Sequence, residues 1–218
     1  MLTNIVRSED ATYAARMKVV QIETLIDAGS ISNTTSWKRA HRDILAGIAS
    51  IHWPSGSGKF TIRPESGKKT GEGNGVKPIK VDFIRSLEKA GWEAEAELDL
   101  ATRVKPGPLD AALTIDEAVI AAEWETGNIS SSHRAMNKMA LGVIKGKITA
   151  GVLVVPSRAL YPYLTDRIGN WDELEPYFDL WRGITCKRGL LQVISVEHDA
   201  TSTTVARIPK GTDGRASV

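Results

Sequence analysis

Cysteine is nearly absent: Cys186 stands alone among 218 residues. It can form no intramolecular disulfide and supply no thiolate zinc cluster, which fits a reducing, cytoplasmic setting. No signal peptide and no apolar run of membrane length stands out, so no membrane attachment is expected. Charge of one sign is missing too, since 28 basic and 26 acidic residues leave a net charge of +2. So small an excess says nothing about nucleic acid, and any partner must be read from where charges cluster. No repeat divides the chain, and its length suits one compact domain over residues 1–218. Gly56-Ser57-Gly58-Lys59 hints at a nucleotide-binding loop, but Trp53 occupies the place of that motif's leading glycine. His133 is accompanied by no serine elbow and no Cys/His pairing, which removes those forms of nucleophilic catalysis.

What is present is a changing hydrophobic period. Ala15, Val19, Ile22 and Ile26 recur at helical spacing and predict a helix over residues 9–28, ended by Gly29. A second predicted helix follows Ser36 as N-cap, runs through Trp37, Ile44, Ile48 and Ile51, and is closed by Pro54. Over residues 54–78 glycine, serine, lysine and proline dominate, and Lys59, Arg63, Lys68, Lys69 and Lys77 outnumber Glu65 and Glu72. This reads as a mobile basic loop, either simply solvated or able to fold over a phosphate backbone. After a short predicted helix at 81–90, Trp92, Ala94, Ala96, Leu98 and Leu100 alternate with Glu93, Glu95, Glu97 and Asp99. Period two means a strand with one buried and one acidic face.

A turn at Pro106-Gly107-Pro108 leads into residues 109–113, and 118–124 form an apolar run that ends in charge; these look like paired core strands. From Ser130 to about Lys147 the period becomes helical, with Met136, Met139, Ala140, Val143 and Ile144 on one stripe. Residues 151–155 follow as a buried strand, and a right-handed crossover would make 118–124 and 151–155 parallel neighbours. Helices are predicted near 158–168 and 172–181, then a late strand at 190–196 and a polar tail. The fold class implied is α/β (α+β mixed), a central mixed β-sheet flanked by helices.

The chemistry is carried by Asp110 and, thirteen residues on, Glu123-Trp124-Glu125. Strand residues two apart share a face, so Glu123 and Glu125 point the same way, and a neighbouring strand brings Asp110 beside them. Carboxylates gathered in a half-buried site repel one another unless a hard cation neutralises them, and oxygen-only ligation suits Mg²⁺. Asp110 and Glu123 are the expected metal ligands, and Glu125 is expected to position or deprotonate an attacking water, with one or two ions per site. That is hydrolytic chemistry on a phosphodiester. The plainer alternative is that acids at strand ends are merely solvated.

At these residues the chain resembles a known family. Pro108-Leu109-Asp110 followed by Glu123-x-Glu125 is similar to the PD-(D/E)XK nuclease signature, in the variant where glutamate replaces the usual lysine. That variant marks the BamHI/BglII/BstYI-like group of type II restriction endonucleases. The run from Glu123 through Gly127-Asn128-Ile129-Ser130-Ser131-Ser132-His133-Arg134 strengthens the likeness, which extends over residues 92–181. The resemblance implies a restriction-endonuclease-like fold, a homodimer straddling palindromic double-stranded DNA, Mg²⁺-dependent cleavage of both strands, and a site related to GATC. It also implies a prokaryotic restriction-modification system with a cognate DNA methyltransferase. The missing motif lysine puts any lysine-activated water in doubt. A fourth polar active-site residue is left open among Glu88, Glu95 and Glu97.

For DNA contacts, Asn128, Ser130, Ser131 and Ser132 lie where a helix begins, and free N–H groups there favour phosphate. The resemblance sends this segment into the major groove, which makes Asn128 and Ser130 the first candidates for base contacts. His133, Arg134 and Lys138 are expected to hold the backbone; Arg158, Asp166 and Arg167 are further candidates, for which an ordinary surface salt bridge is the alternative for the last two. Two other functions stay open: a structure-specific or repair nuclease on the same fold, and a non-catalytic DNA-binding module.

Overall fold

A computed structural model describes residues 17–69, 71–99, 107–165 and 168–210. Its frame is a six-stranded sheet in the order β1-β7-β6-β5-β4-β3. The strands are β1 (Lys18–Ala28), β3 (Glu93–Ala96), β4 (Leu109–Ile115), β5 (Ala118–Trp124), β6 (Ala150–Pro156) and β7 (Gly189–Glu197). β5, β6 and β7 run parallel, whereas β1, β4 and β3 join antiparallel at the two sides, so the sheet is mixed as expected. A second, two-stranded parallel sheet joins β2 (Thr61–Ile62) to β8 (Ala200–Thr201).

Helices cover both faces of the larger sheet. On one lie α1 (Thr35–Ser50) and α2 (Lys77–Lys89), which bury Ile44, Ile48, Ile79, Phe83 and Leu87 against Ala111, Leu113, Ile120, Trp124 and Val152. On the other lie α3 (Ile129–Ile144) and the short α4 (Trp171–Leu174) and α5 (Phe178–Arg182), which bury Met136, Met139, Val143, Trp171 and Trp181 against Leu153, Val155, Leu191 and Val193. Alternating burial on two covered faces explains why every residue of β6 is buried and why its sequence is a continuous apolar run. α3 approaches β6 closely at Gly151, where a Cβ would lie 2.8 Å from the Met139 sulfur.

Several predicted elements differ from those observed. The predicted helix at 9–28 is β1 over its described part, paired antiparallel with β7. Register shifts between Val19 and Gln21 and between Thr24 and Ile26 break period two and leave an apolar spacing that imitates a helix. Val19, Val20, Ile22, Thr24 and Ile26 are the β-branched signal that favours a strand here. α1 is capped by Thr34, not Ser36: the Thr34 hydroxyl accepts from Trp37 N. α2 starts at Lys77, with Pro78 in its first turn, where the missing N–H costs nothing. Among the described residues of the predicted helix at 158–168 only a short 3₁₀ turn at Tyr161–Tyr163 forms, and Pro176 divides the next predicted helix into α4 and α5.

The described residues of the basic segment at 54–78 are tied down rather than loose. Phe60 and Ile62 are fully buried, Trp53 Nε1 donates to Ala206 O at 2.7 Å, and Asn74 bonds both Arg63 O and the Ile208 N–H. Arg63 is committed to Glu65 and to the carbonyls of Thr203 and Val205, and Arg207 pairs with Glu65 from the C-terminal side. Lys59, Lys68 and Lys69 remain exposed. The expected polar tail therefore serves as the partner of the basic segment.

Candidate active site

The hairpin of β4 and β5 sets the site. Its register pairs Ala111 with Ala122, which leaves Asp110 and Glu123 as the next facing positions. Asp110 is fixed further because its Oδ2 accepts the Trp124 N–H at 2.8 Å. β6 borders the other side, with Leu153 opposite Glu123 and Val154 O accepting the Glu125 N–H at 2.9 Å. The acids thus stand where an antiparallel and a parallel neighbour meet at the C-terminal end of β5. Asp110, Glu123 and Glu125 are each less than a tenth exposed, an unusual setting for three acids unless they have work to do.

Burial and charge both act on them. Glu123 is pushed up to about 7, first by desolvation and then by the Asp110 carboxylate, against the pull of Lys138 and Lys80. Glu125 is also raised by burial, partly offset by the Ser132 hydroxyl and by the Gly127 and Thr126 N–H groups. The Gly127 N–H reaches Glu125 Oε1 at 2.5 Å. A side chain at Gly127 has no room, because a Cβ there would sit 2.5 Å from the Ser131 hydroxyl.

Two lysines complete the electrostatics. Lys80 on α2 donates to Asp110 Oδ1 at 2.5 Å, and Lys138 on α3 pairs with Glu123 Oε1. Among the described residues no three His, Cys, Asp or Glu side chains form a ready-made metal cage. The convergence of three carboxylates expected from strand geometry is therefore met as neighbourhood, with Asp110 acting on both glutamates, and not as a cage. Asp110 and Glu123 nevertheless fit a hard divalent cation: both are buried, adjacent and oxygen-only, and their mutual repulsion is what such an ion relieves.

Glu123 makes a pH prediction. A carboxyl with a raised folded pKa contributes stability that is fully present below its unfolded value of about 4.5 and is lost as pH rises through about 7. Glu123→Gln, neutral throughout, is expected to abolish that loss. Urea denaturation in chelator at about pH 5 and about pH 8 checks it: the variant should gain on the parent at the higher pH, and an unchanged difference would contradict the shift.

The expected DNA-contact residues divide. Asn128, Ser130 and Arg134 are exposed at the start of α3, and Asn128 Oδ1 caps the helix by accepting from Ser130 N at 3.1 Å and Ser131 N at 3.4 Å. Ser131 is half-buried. Ser132 is fully buried and faces Glu125, so it is not placed to touch DNA; it lies one turn before Met136 on the apolar stripe. His133 meets the Tyr177 ring edge-on at 4.5 Å and lies tilted against the Trp181 ring at 5.6 Å, and burial lowers its pKa, which disfavours the charged form that would attract a phosphate. Lys138 points inward to Glu123 instead of outward to a backbone. Arg158 is exposed over the Tyr161 ring, and Asp166 and Arg167 lie outside the described residues. Glu88, Glu95 and Glu97 are all exposed, so none shares the buried setting of the three acids.

Sequence reasoning missed Lys80. Its signal was positional, for it falls at helical spacing with Val76, Phe83 and Leu87, the buried stripe of α2. A lysine there must find a buried partner.

The profile of the family described as "Restriction endonuclease BamHI" matches residues 17–215. The chain belongs to the BamHI restriction endonuclease family. Within it, the type II restriction enzyme OkrAI of Oceanobacter kriegii is 46% identical over 200 residues, covering 92% of this chain and 99% of that one. The type II restriction enzyme BamHI of Bacillus amyloliquefaciens is 38% identical over 184 residues, 81% of this chain and 82% of its own. The crystal structure of restriction endonuclease BglII complexed with a DNA 16-mer superposes with a TM-score of 0.61 at 11% identity, covering 88% of each chain, a likeness of fold. The BamHI-family match spans every element described above, including β1 and the segment after β7.

Proposed function

We propose that this protein is a type II restriction endonuclease that hydrolyses phosphodiester bonds at a palindromic site in double-stranded DNA, related to GATC. The observation that carries the reading is the buried acidic set on adjoining ends of β4 and β5, followed at once by an exposed polar helix start. Asp110 and Glu123 hold Mg²⁺ in this reading. The bound ion supplies charge neutralisation at the scissile phosphate and a more acidic water. Glu125, oriented by the Gly127 N–H and kept above the usual carboxylate range by burial, takes the proton from the attacking water. Asn128, through the Nδ2 that its helix cap does not use, together with the exposed Ser130 and Arg134, reads base edges and phosphates beside it, and Arg158, Asp166 and Arg167 are proposed as further contacts.

A symmetric site calls for two copies of the chain. Tyr177, which meets His133 of α3, and Leu180 on α5 expose apolar surface, suited to a homodimer that sets two acidic sites on opposite strands. No helix among the described residues is long and apolar enough to cross a membrane. The setting proposed is a prokaryotic cytoplasm, with a cognate methyltransferase protecting host sites.

Incubation with plasmid and Mg²⁺ tests the reading. Discrete fragments whose mapped ends share one palindrome are expected, and chelator should abolish them. A smear, or a preference for branched DNA, would favour a structure-specific nuclease instead.

A further inference from the structure

We propose that Lys138 is a positioning residue for cleavage, holding Glu123 and the start of β4 in place rather than gripping the DNA backbone. The inference rests on the role given to Glu123 above.

Lys138 stands one turn beyond Arg134 on α3, yet the two behave differently. Arg134 is exposed, whereas the Lys138 side chain is only 8% exposed and the Glu123 side chain it meets only 9%. A lysine can usually keep its ammonium in water while its stem lies on apolar surface. Here the ammonium is turned inward, and such burial is tolerated only with charged and hydrogen-bonding partners. It has two, on separate segments: Glu123 Oε1 on β5, and Pro108 O, to which it donates at 2.6 Å, immediately before β4.

This arrangement ties both acids to one group. Glu123 is held directly. Asp110 is held through the chain, because Pro108 lies two residues before it and its anchored carbonyl fixes where β4 enters the sheet. Lys80 approaches Asp110 from α2, in the helical layer on the opposite face. An ammonium from each layer therefore braces the acidic pair. β5 carries no lysine of its own, with Glu125 standing where the commoner motif has one; α3 provides the ammonium instead. A phosphate contact by Lys138 would require it to abandon both partners and leave a buried carboxylate without its cation.

Three measurements on a plasmid the protein cuts separate these roles: single-turnover cleavage at saturating Mg²⁺, duplex affinity in chelator, and the salt dependence of that affinity. Lys138→Met is expected to cut about 10²-fold more slowly, as for a displaced reacting group, with affinity and salt slope unchanged. Lys138→Arg, which keeps the charge, is expected to recover part of the lost rate. Cleavage by Lys138→Met at the parent rate overturns the proposal. So does a loss of affinity together with about one unit of salt slope while bound DNA is cut normally, the mark of a phosphate contact. Thermal melting of Lys138→Gln, alone and combined with Glu123→Gln, stands independent of activity. The loss of Tm should be larger beside the native Glu123, and equal losses in both backgrounds overturn the pairing. Glu123→Ala keeps the two readings apart: if it cuts normally the acidic-site reading fails, and if it is inactive while Lys138→Met is normal only the present inference fails.

Discussion

Glu123→Ala and Asp110→Ala are each expected to lower the single-turnover cleavage rate by about 10³-fold or more, while binding to specific duplex in chelator is kept or tightened. The size follows from removing a group that acts on charge developing at the phosphate in a site shielded from water. Binding survives because both carboxyls repel phosphate, and deleting one removes a negative charge from the surface DNA approaches. Their buried, facing positions, bridged by the Asp110–Trp124 hydrogen bond, make them parts of one unit. The double variant should therefore be little slower than either single one. Plasmid cleavage and gel-shift titration read both quantities. Near-normal cleavage by either variant would move catalysis elsewhere, and a parent protein that binds without cutting would make the acidic set structural.

Phe83→Ala is expected to cost about 3–5 kcal/mol of stability, the usual range for emptying a fully buried aromatic site. Phe83 on α2 has no exposure, meets the Trp124 ring at 4.9 Å, and fills the space left by Gly47 on α1, where a Cβ would lie 3.1 Å from its ring. Such a loss is a large part of the roughly 5–15 kcal/mol that holds an ordinary domain together. The damage should reach function as well, because Trp124 supplies the N–H that holds Asp110. Urea denaturation with activity measured at low temperature tests both parts. A cost under about 1 kcal/mol would mean the cavity refills and the α1–α2 layer is far more plastic than its packing suggests.

What the sequence revealed depended on how local the determinant was. The β4–β5 hairpin, α3 and β6 were legible because each apolar pattern is unbroken: a run ending in charge, a stripe through Met136 and Met139, and a second run closed by Pro156. The nearness of Asp110 to Glu123 followed from pairing those two strands. β1 was not legible, since two register shifts disguise its period, and its strand character depends on β7, which lies far along the chain. The order of segment 54–78 was hidden for the same reason: Arg63, Asn74 and Trp53 find their partners beyond Ser202. Within the site, Lys138 was read as an outward cation and Lys80 was not singled out. The structure turns Lys80 and Lys138 towards Asp110 and Glu123, carboxylates that would be costly to leave buried without a cation. Ser132 and His133 show how the polar run from Ser130 to Arg134 still obeys the helix, these two facing protein rather than ligand.

Mn²⁺ provides the most direct examination of the acidic centre, because its anomalous scattering locates it in a crystal of the protein with uncut duplex. Density bounded by carboxylate oxygens of Asp110 and Glu123, next to a phosphate and absent from Glu123→Ala crystals, is the predicted result. An ion bound away from both residues, or a phosphate out of reach of either, would contradict the assignment of catalysis to this pair of strands.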